Sequence, residues 1–358
     1  MALNVGILTS GGDCQSLNAT MRGVAKALYT NVKDVKIIGF LDGYKGLMYE
    51  NYRVMSPSDF SGILTEGGTI LGSSRQPFKM MTVPDENGLD KVKAMKSTYN
   101  KLKLDCLVVL GGNGSQKTAN LLSQEGLNVI GLPKTIDNDL WGTDITFGFE
   151  SALNVATNAI DCIHTTAASH SRVFIVEVMG HKVGWLTLHA GIAGGADIIL
   201  LPEIPYDINV VAEAIRQREK QGKLFSILAV AEGAISKETA ALSKKERKKK
   251  AEQSVYPSIA YEIGADITRL TGQEVRVTVP GHMQRGGSPC PYDRVLSSRL
   301  GAYAAGMITR KEFGALVVSQ NDVITHLPLS EIAGKLKVVD PECDIIQQAR
   351  MIGISFGD

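Results

Sequence analysis

Residues 106–139 read CLVVLGGNGSQKTANLLSQEGLNVIGLPKTIDND. Two short apolar runs, CLVVLGG (106–112) and NVIGLP (128–133), flank the helix-forming segment QKTANLL, and Ser115 stands where it can cap that helix. Each run is apolar at nearly every position, as in parallel strands covered by helices on both faces. The stretch is therefore a β–α–β unit, and its cadence extends in both directions. Upstream, NVGILT (4–9) leads through SGGD into a helical face of Leu17, Met21, Val24 and Leu28, and VKIIGF (35–40) follows. Downstream lie RVFIVEVMG (172–180), ADIILLP (196–202), FSILAVAEG (225–233), VRVTVPG (275–281) and ALVVS (315–319). Helical patterns fall between most of them, at 150–165, 182–193, 208–220, 255–270 and 293–309. Strand and helix in alternation predict an α/β fold of doubly wound sheets. At 358 residues and about 150 residues per domain, the chain has room for two domains or one large one.

Composition narrows the function classes. The 38 Lys+Arg balance 37 Asp+Glu, which argues against a strongly basic nucleic-acid binder and against an acidic tail. The basic run SKKERKKK (243–250) reads as the exposed end of a helix or a mobile insertion rather than a nucleic-acid or membrane patch. Five cysteines, Cys14, Cys106, Cys162, Cys290 and Cys343, are widely spaced with no C-x-x-C pair, so neither a disulfide framework nor a structural zinc site is indicated. No apolar run approaches the ~18 residues of a membrane span. The opening MALNVGILTSGG lacks the charged start of a secretory signal. A cytoplasmic protein with no membrane partner is the expectation.

The anomaly is glycine, at 37 residues against 12 prolines. Much of it sits where strands end, the edge at which open α/β sheets bind ligands. In GGNGS (111–115), glycines let backbone N–H groups approach an anion, and the following helix N-terminus favours negative charge. The turn reads as a phosphate cradle or as a tight turn without a ligand, and it is neither a P-loop nor a complete G-x-G-x-x-G. TIDND sets Asp137 and Asp139 two residues apart. One carboxylate can take a proton from an attacking hydroxyl while the other holds a metal, as phosphoryl transfer requires. An Asx-rich turn satisfying its own backbone is the alternative. A third cluster, VRVTVPGHMQRGGSPCPYDR (275–294), brings Arg276, His282 and Arg285 close to a Gly-Gly turn, a set suited to a sugar phosphate.

In this order the motifs GILTSGGD, GGTILGSSR, GGNGS, PKTIDNDLWGTDITFGF, SHSRVFIVEVMG, AVAEG and VTVPGHMQRGGSPCPYDR resemble the phosphofructokinase type A family. The resemblance covers nearly the whole chain. It implies phosphoryl transfer from a donor, ATP or pyrophosphate, to the 1-hydroxyl of fructose 6-phosphate, with magnesium as cofactor. It implies two Rossmann-like three-layer domains facing each other across an active-site cleft. Residues 1–145 with 284–334 would bind the donor, 146–283 the sugar phosphate, and 335–358 would form a C-terminal extension.

Carried over position by position, Asp137 is the base, Thr135 and Asp137 contact the sugar, and Asp139 helps order the metal. Met179, Gly180, Glu232, His282 and Arg285 match the sugar-phosphate pocket. Arg172 and Arg276 match arginines that reach in from a neighbouring subunit, which implies a homodimer or homotetramer with shared active sites. Gly12, Tyr44, Arg75, Gln76, Gly112, Asn113, Gly114 and Ser115 match the donor site.

The chain departs from the family pattern at three places. Asn113 replaces an aspartate that binds magnesium, His181 replaces an arginine that stabilises the transferring phosphoryl group, and Gln15 and Ser16 replace Pro and Gly. Lys182 or Lys134 would supply the missing cation. Donor choice turns on Gly114, which leaves room for ATP where pyrophosphate users carry Asp, and on Lys134, which pyrophosphate users and some ATP users share. ATP is the expected donor. A pyrophosphate-dependent enzyme and a weakly active regulatory paralogue are the alternatives, and effector control is expected to be weak or absent because His164 stands where an effector-binding arginine is usual.

Overall fold

The computed structural model describes residues 2–358. Eleven strands occur among them: β1 (Leu3–Ser10), β2 (Val35–Phe40), β3 (Tyr52–Met55), β4 (Cys106–Gly111), β5 (Val129–Pro133), β6 (Val173–Val178), β7 (Ile198–Leu200), β8 (Ser226–Ala231), β9 (Val275–Thr278), β10 (Ala315–Gln320) and β11 (Val323–Pro328). The largely apolar runs became buried strands, since β4, β5, β6 and β8 are buried along their whole length. The chain forms two compact units, one running through Ser151 together with Arg285–Lys337, the other comprising Ala152–Gln284 and Val338–Asp358.

In the first unit the strand order is β11-β10-β5-β4-β1-β2-β3. The interior pairs are parallel, and only the two edge pairs, β2 with β3 and β10 with β11, are antiparallel. The edge strands β3 and β11 escaped the sequence reading because they are short or half-exposed and lack a continuous apolar run. Leu8, Ile38, Leu107, Val109, Val129 and Val318 belong to one core cluster, which the helix Asn113–Gln124 joins through Ala119 and Leu122. After β1 the chain turns to β2 on one side, whereas β4 lies on the other. The carboxyl ends of β1 and β4 therefore flank a topological switch point, the place where such sheets bind ligands.

The second unit has four strands, β7-β8-β6-β9, all parallel. Val173, Ile175, Leu228 and Val230 pack there against Ile263 and Ile267 of the helix Ile259–Thr271. The segment read as an extension, 335–358, is divided: Val338–Asp358 is part of this unit. Ser355 bridges Ile198 in parallel, and Asp207 N–H donates to Gly357 O at 2.7 Å. Phe356 is fully buried, and the Arg350 guanidinium lies over its ring at 4.9 Å. The basic run forms a short helix of its own, Lys244–Glu252, wholly exposed and begun by a Ser243/Glu246 capping box. No helix among the described residues is long and apolar enough to cross a membrane.

Candidate active site

Strand register assembles a candidate site on the first unit. Ser10 pairs with Gly111, and Gly111 pairs with Pro133. The turns that follow, SGGD, GGNGS and KTIDND, therefore leave the sheet side by side. A side chain at Gly111 is impossible there, because its Cβ would sit 2.3 Å from Ser115 Cβ. That closeness lets Ser115 Oγ donate to Ser10 Oγ at 2.9 Å, tying two turns together. Gly112 is extended and opens the helix Asn113–Gln124. Its first N–H groups thus face the strand ends, the arrangement that favours an anion. Gly114 is exposed, and a Cβ there would meet nothing within 4 Å.

Two cations clamp the SGGD turn through its carbonyls. Lys134 is buried and its Nζ donates to Gly12 O. Burial pulls this ammonium below the usual lysine range. Arg285 Nη1 donates to Asp13 O at 2.8 Å, and its guanidinium lies so close to Gly12 that a Cβ there would be 3.0 Å away. Arg285, expected in the sugar-phosphate pocket, thus belongs to the first unit. Tyr44, expected at the donor, is wholly buried, and its hydroxyl donates to Ser115 O at 2.8 Å. It holds the turn from beneath and presents no surface to a ligand. Arg75 and Gln76 follow a segment docked on the same turn, where Gly11 N–H donates to Ser74 O at 3.1 Å and Ser73 Oγ donates to Gly11 O at 2.6 Å.

TIDND is shaped by its own polar side chains. Thr135 Oγ1 accepts from Asp137 N–H at 3.0 Å, and Asn138 adopts a left-handed φ of 51° between the two aspartates. Asparagine tolerates that conformation, and its Oδ1 accepts from Thr146 N–H at 3.1 Å. Thr146 Oγ1 in turn donates to Thr135 O at 2.8 Å. Burial, then the neighbouring charge of Asp137, pushes the Asp139 carboxyl up to about 6. Two carboxylates held together with little water favour a cation between or beside them. Asn113 Nδ2 donates to Lys335 O at 2.6 Å.

In the second unit Val178 pairs with Ala231, so Met179–His181 and Glu232 leave the sheet together. Glu232 Oε1 accepts from His181 N–H at 2.6 Å and from Gly180 N–H at 3.2 Å. Glycine is required at 180, whose φ is 152° and whose Cβ would meet Val183 O at 2.6 Å. His181 itself takes a left-handed φ of 53° and is exposed. Gln284, fully buried, accepts from Met179 N–H at 3.1 Å and joins this turn to the 3-10 helix Gly281–Arg285 that carries the exposed His282.

Arg172 and Arg276 lie elsewhere. Arg172 precedes β6, and Arg276 pairs with Phe174 in its first half. Seven residues at about 3.3 Å each separate Arg172 from Met179 by roughly 23 Å along the strand. The two arginines share Glu274, with Arg172 Nε donating at 2.5 Å. The sequence reading missed Gln116 and Gln284, buried amides that brace the turns. Gln116 Nε2 donates to Gly111 O at 2.9 Å and to Leu132 O at 3.1 Å. A glutamine inside a helical or glycine-rich stretch carries no local signal of such a role.

The profile of the family described as Phosphofructokinase matches residues 4–308. The ATP-dependent 6-phosphofructokinase of Spirochaeta thermophila is 54% identical, the match covering 99% of this chain and 97% of that protein. ATP-dependent 6-phosphofructokinase 3 of Bacteroides thetaiotaomicron is 45% identical over 99% and 100%. The crystal structure of Pichia pastoris phosphofructokinase in the T-state superposes with a TM-score of 0.80 at 31% identity, covering 92% of this chain but 35% of the Pichia chain. Matched by profile and by relatives along most of its length, the chain belongs to the phosphofructokinase family.

Proposed function

We propose that the protein transfers the γ-phosphoryl group of ATP to the 1-hydroxyl of fructose 6-phosphate, giving fructose 1,6-bisphosphate and ADP. The observation that carries this reading is the register Ser10–Gly111–Pro133, which sets a glycine phosphate cradle, Lys134 and two carboxylates at one sheet edge. The names of the bacterial relatives support ATP as donor. So does the open space at Gly114, where a nucleotide α-phosphate meets no side chain.

In the reaction the sugar O1–phosphorus bond forms as the bond from the γ-phosphorus to the bridging oxygen breaks. Asp137 takes the proton of the 1-hydroxyl, oriented by the turn that Thr135 closes. The helix N-terminus at Gly112–Ser115 receives the donor phosphates. Glu232 shapes the Met179–His181 turn for the sugar phosphate, with His282 nearby in sequence to the buried Gln284 that braces the turn. A magnesium ion suits hard oxygen donors of the kind that Asp139 and the Asn113 amide offer, completed by phosphate oxygens. When bound, it neutralises charge on the phosphates.

Arg172 and Arg276 stand about a strand's length from the Met179 turn of their own chain. They serve the sugar phosphate of a neighbouring protomer in a homodimer or homotetramer. The five free cysteines suit a cytoplasmic enzyme.

Steady-state assays with ATP and with pyrophosphate, each with and without Mg²⁺, test the reading. Magnesium-dependent turnover with ATP is expected, and robust turnover with pyrophosphate but none with ATP would overturn it. Asp137→Ala is expected to lose at least about 10²-fold in kcat, the usual contribution of a general base.

A further inference from the structure

The short segment Gly334–Lys337 touches both halves of the donor edge. At one end Lys335 O accepts from the Asn113 amide at 2.6 Å. Gly334 passes beside Lys117, one helical turn beyond Asn113, with a left-handed φ of 96°. In the middle Leu336 forms an antiparallel bridge with Leu140, and the Lys335 ammonium lies 6.0 Å from the Trp141 ring centroid. At the other end Lys337 N–H donates to Asp139 O at 2.9 Å. Its Nζ donates to Thr143 O at 3.0 Å and to Asp144 O at 2.5 Å. An ammonium half-buried against backbone carbonyls forms charge-assisted bonds, which are stronger than those of a neutral donor.

We propose that Gly334–Lys337 is a strap that holds the Asn113 turn and the Asp139–Asp144 loop at fixed spacing for phosphoryl transfer, with Lys337 as a positioning residue and the Asn113 amide as its anchor. The strap accounts for a neutral amide at position 113. An amide can donate to Lys335 O, whereas an ionised carboxylate would set acceptor against acceptor. The bond occupies the Nδ2 donor and leaves Oδ1 as the acceptor of the amide. The inference rests on Asn113 and Asp139 belonging to the donor site.

Steady-state kinetics of Lys337→Met, Lys337→Arg, Gly334→Ala and Asp137→Ala test it. Lys337→Met keeps the length of the stem and loses both Nζ bonds. Slack of the order of an ångström between the two turns is expected to raise the KM for ATP or lower kcat by up to about 10²-fold. The KM for fructose 6-phosphate should stay within about twofold, and Lys337→Arg, which keeps the charged donors, should recover most of the loss. Gly334→Ala, which strains the other end, should give the same pattern, and the double variant should lose less than the product of the singles because both act through one strap. Gly334→Ala also serves if Lys337→Met does not fold. Wild-type kinetics in the folded variants, or equal losses for both substrates without rescue by Arg, would overturn the proposal. If Asp137→Ala is inactive while these variants match wild type, the strap alone falls. If Asp137→Ala keeps full turnover, the site reading falls and the strap with it.

Discussion

Gly114 is exposed in the first turn of its helix, has ordinary helical backbone, and has open space where a Cβ would stand. Gly114→Asp should therefore fold as the parent does, while adding a carboxylate to the proposed donor site. A rise of at least tenfold in the KM for ATP is expected, on the order of 1.4 kcal/mol of repulsion, with the KM for fructose 6-phosphate unchanged; equal KM values for both proteins would remove Gly114 from donor recognition. Lys134 is the contrasting case. As a residue in a string it looks like a solvated surface lysine, yet its Nζ is enclosed against Gly12 O. Nothing local announces this, because the partner lies 122 positions away. The aspartates of TIDND were legible for the opposite reason, since Thr135 and Asn138, which shape their turn, are in the motif itself.

Elements meet through backbone as well as side chains. In the helices Leu17–Asn31 and Pro291–Arg310, a Cβ on Gly301 would stand 2.6 Å from Thr20 O and Val24 N, and one on Gly23 would stand 3.1 Å from Ser297 O. Gly301→Ala gains about 1 kcal/mol of helix propensity, but forces two backbones apart, an overpacking cost of about 1–3 kcal/mol or more. Net destabilisation in denaturant unfolding is expected, and an unchanged midpoint would contradict the packing described. Some of the glycine surplus thus serves helix contact rather than phosphate approach, which composition cannot separate.

Glu203 fastens the closing segment, with Oε1 accepting from Gly184 N–H and from Val339 N–H, each at 3.0 Å. Its Oε2 is buried without a hydrogen-bond partner, and burial raises the carboxyl above 4.5. The folded state therefore holds the proton more tightly than the unfolded chain. The stability this contributes is full below the unfolded value and is lost as pH rises through the raised one. Glu203→Gln keeps the acceptor and cannot ionise, so its unfolding free energy should fall less than the parent's as pH rises above about 4.5. Parallel pH profiles would show that Glu203 does not titrate in this window.

At the scale of the whole molecule, the proposal that Arg172, just before β6, and Arg276, early in β9, serve a second protomer can be tested with hybrids. Asp137→Ala and Arg276→Ala, each impaired alone, should regain activity when unfolded together and refolded, since a hybrid carries one site with both residues intact. No recovery above the sum of the separate proteins would place each site within one chain. The sequence by itself determined nine of the eleven strands, most of the longer helices, the glycine turns and the acidic motif, because each is written in residues a few positions apart. Only tertiary structure decided which turns stand side by side, that Tyr44 and Lys134 lie beneath the surface, and that residues 335–358 divide between two units. Those outcomes depend on strand register and on hydrogen bonds between residues far apart in the chain, and no local pattern encodes which distant carbonyl a buried donor will reach.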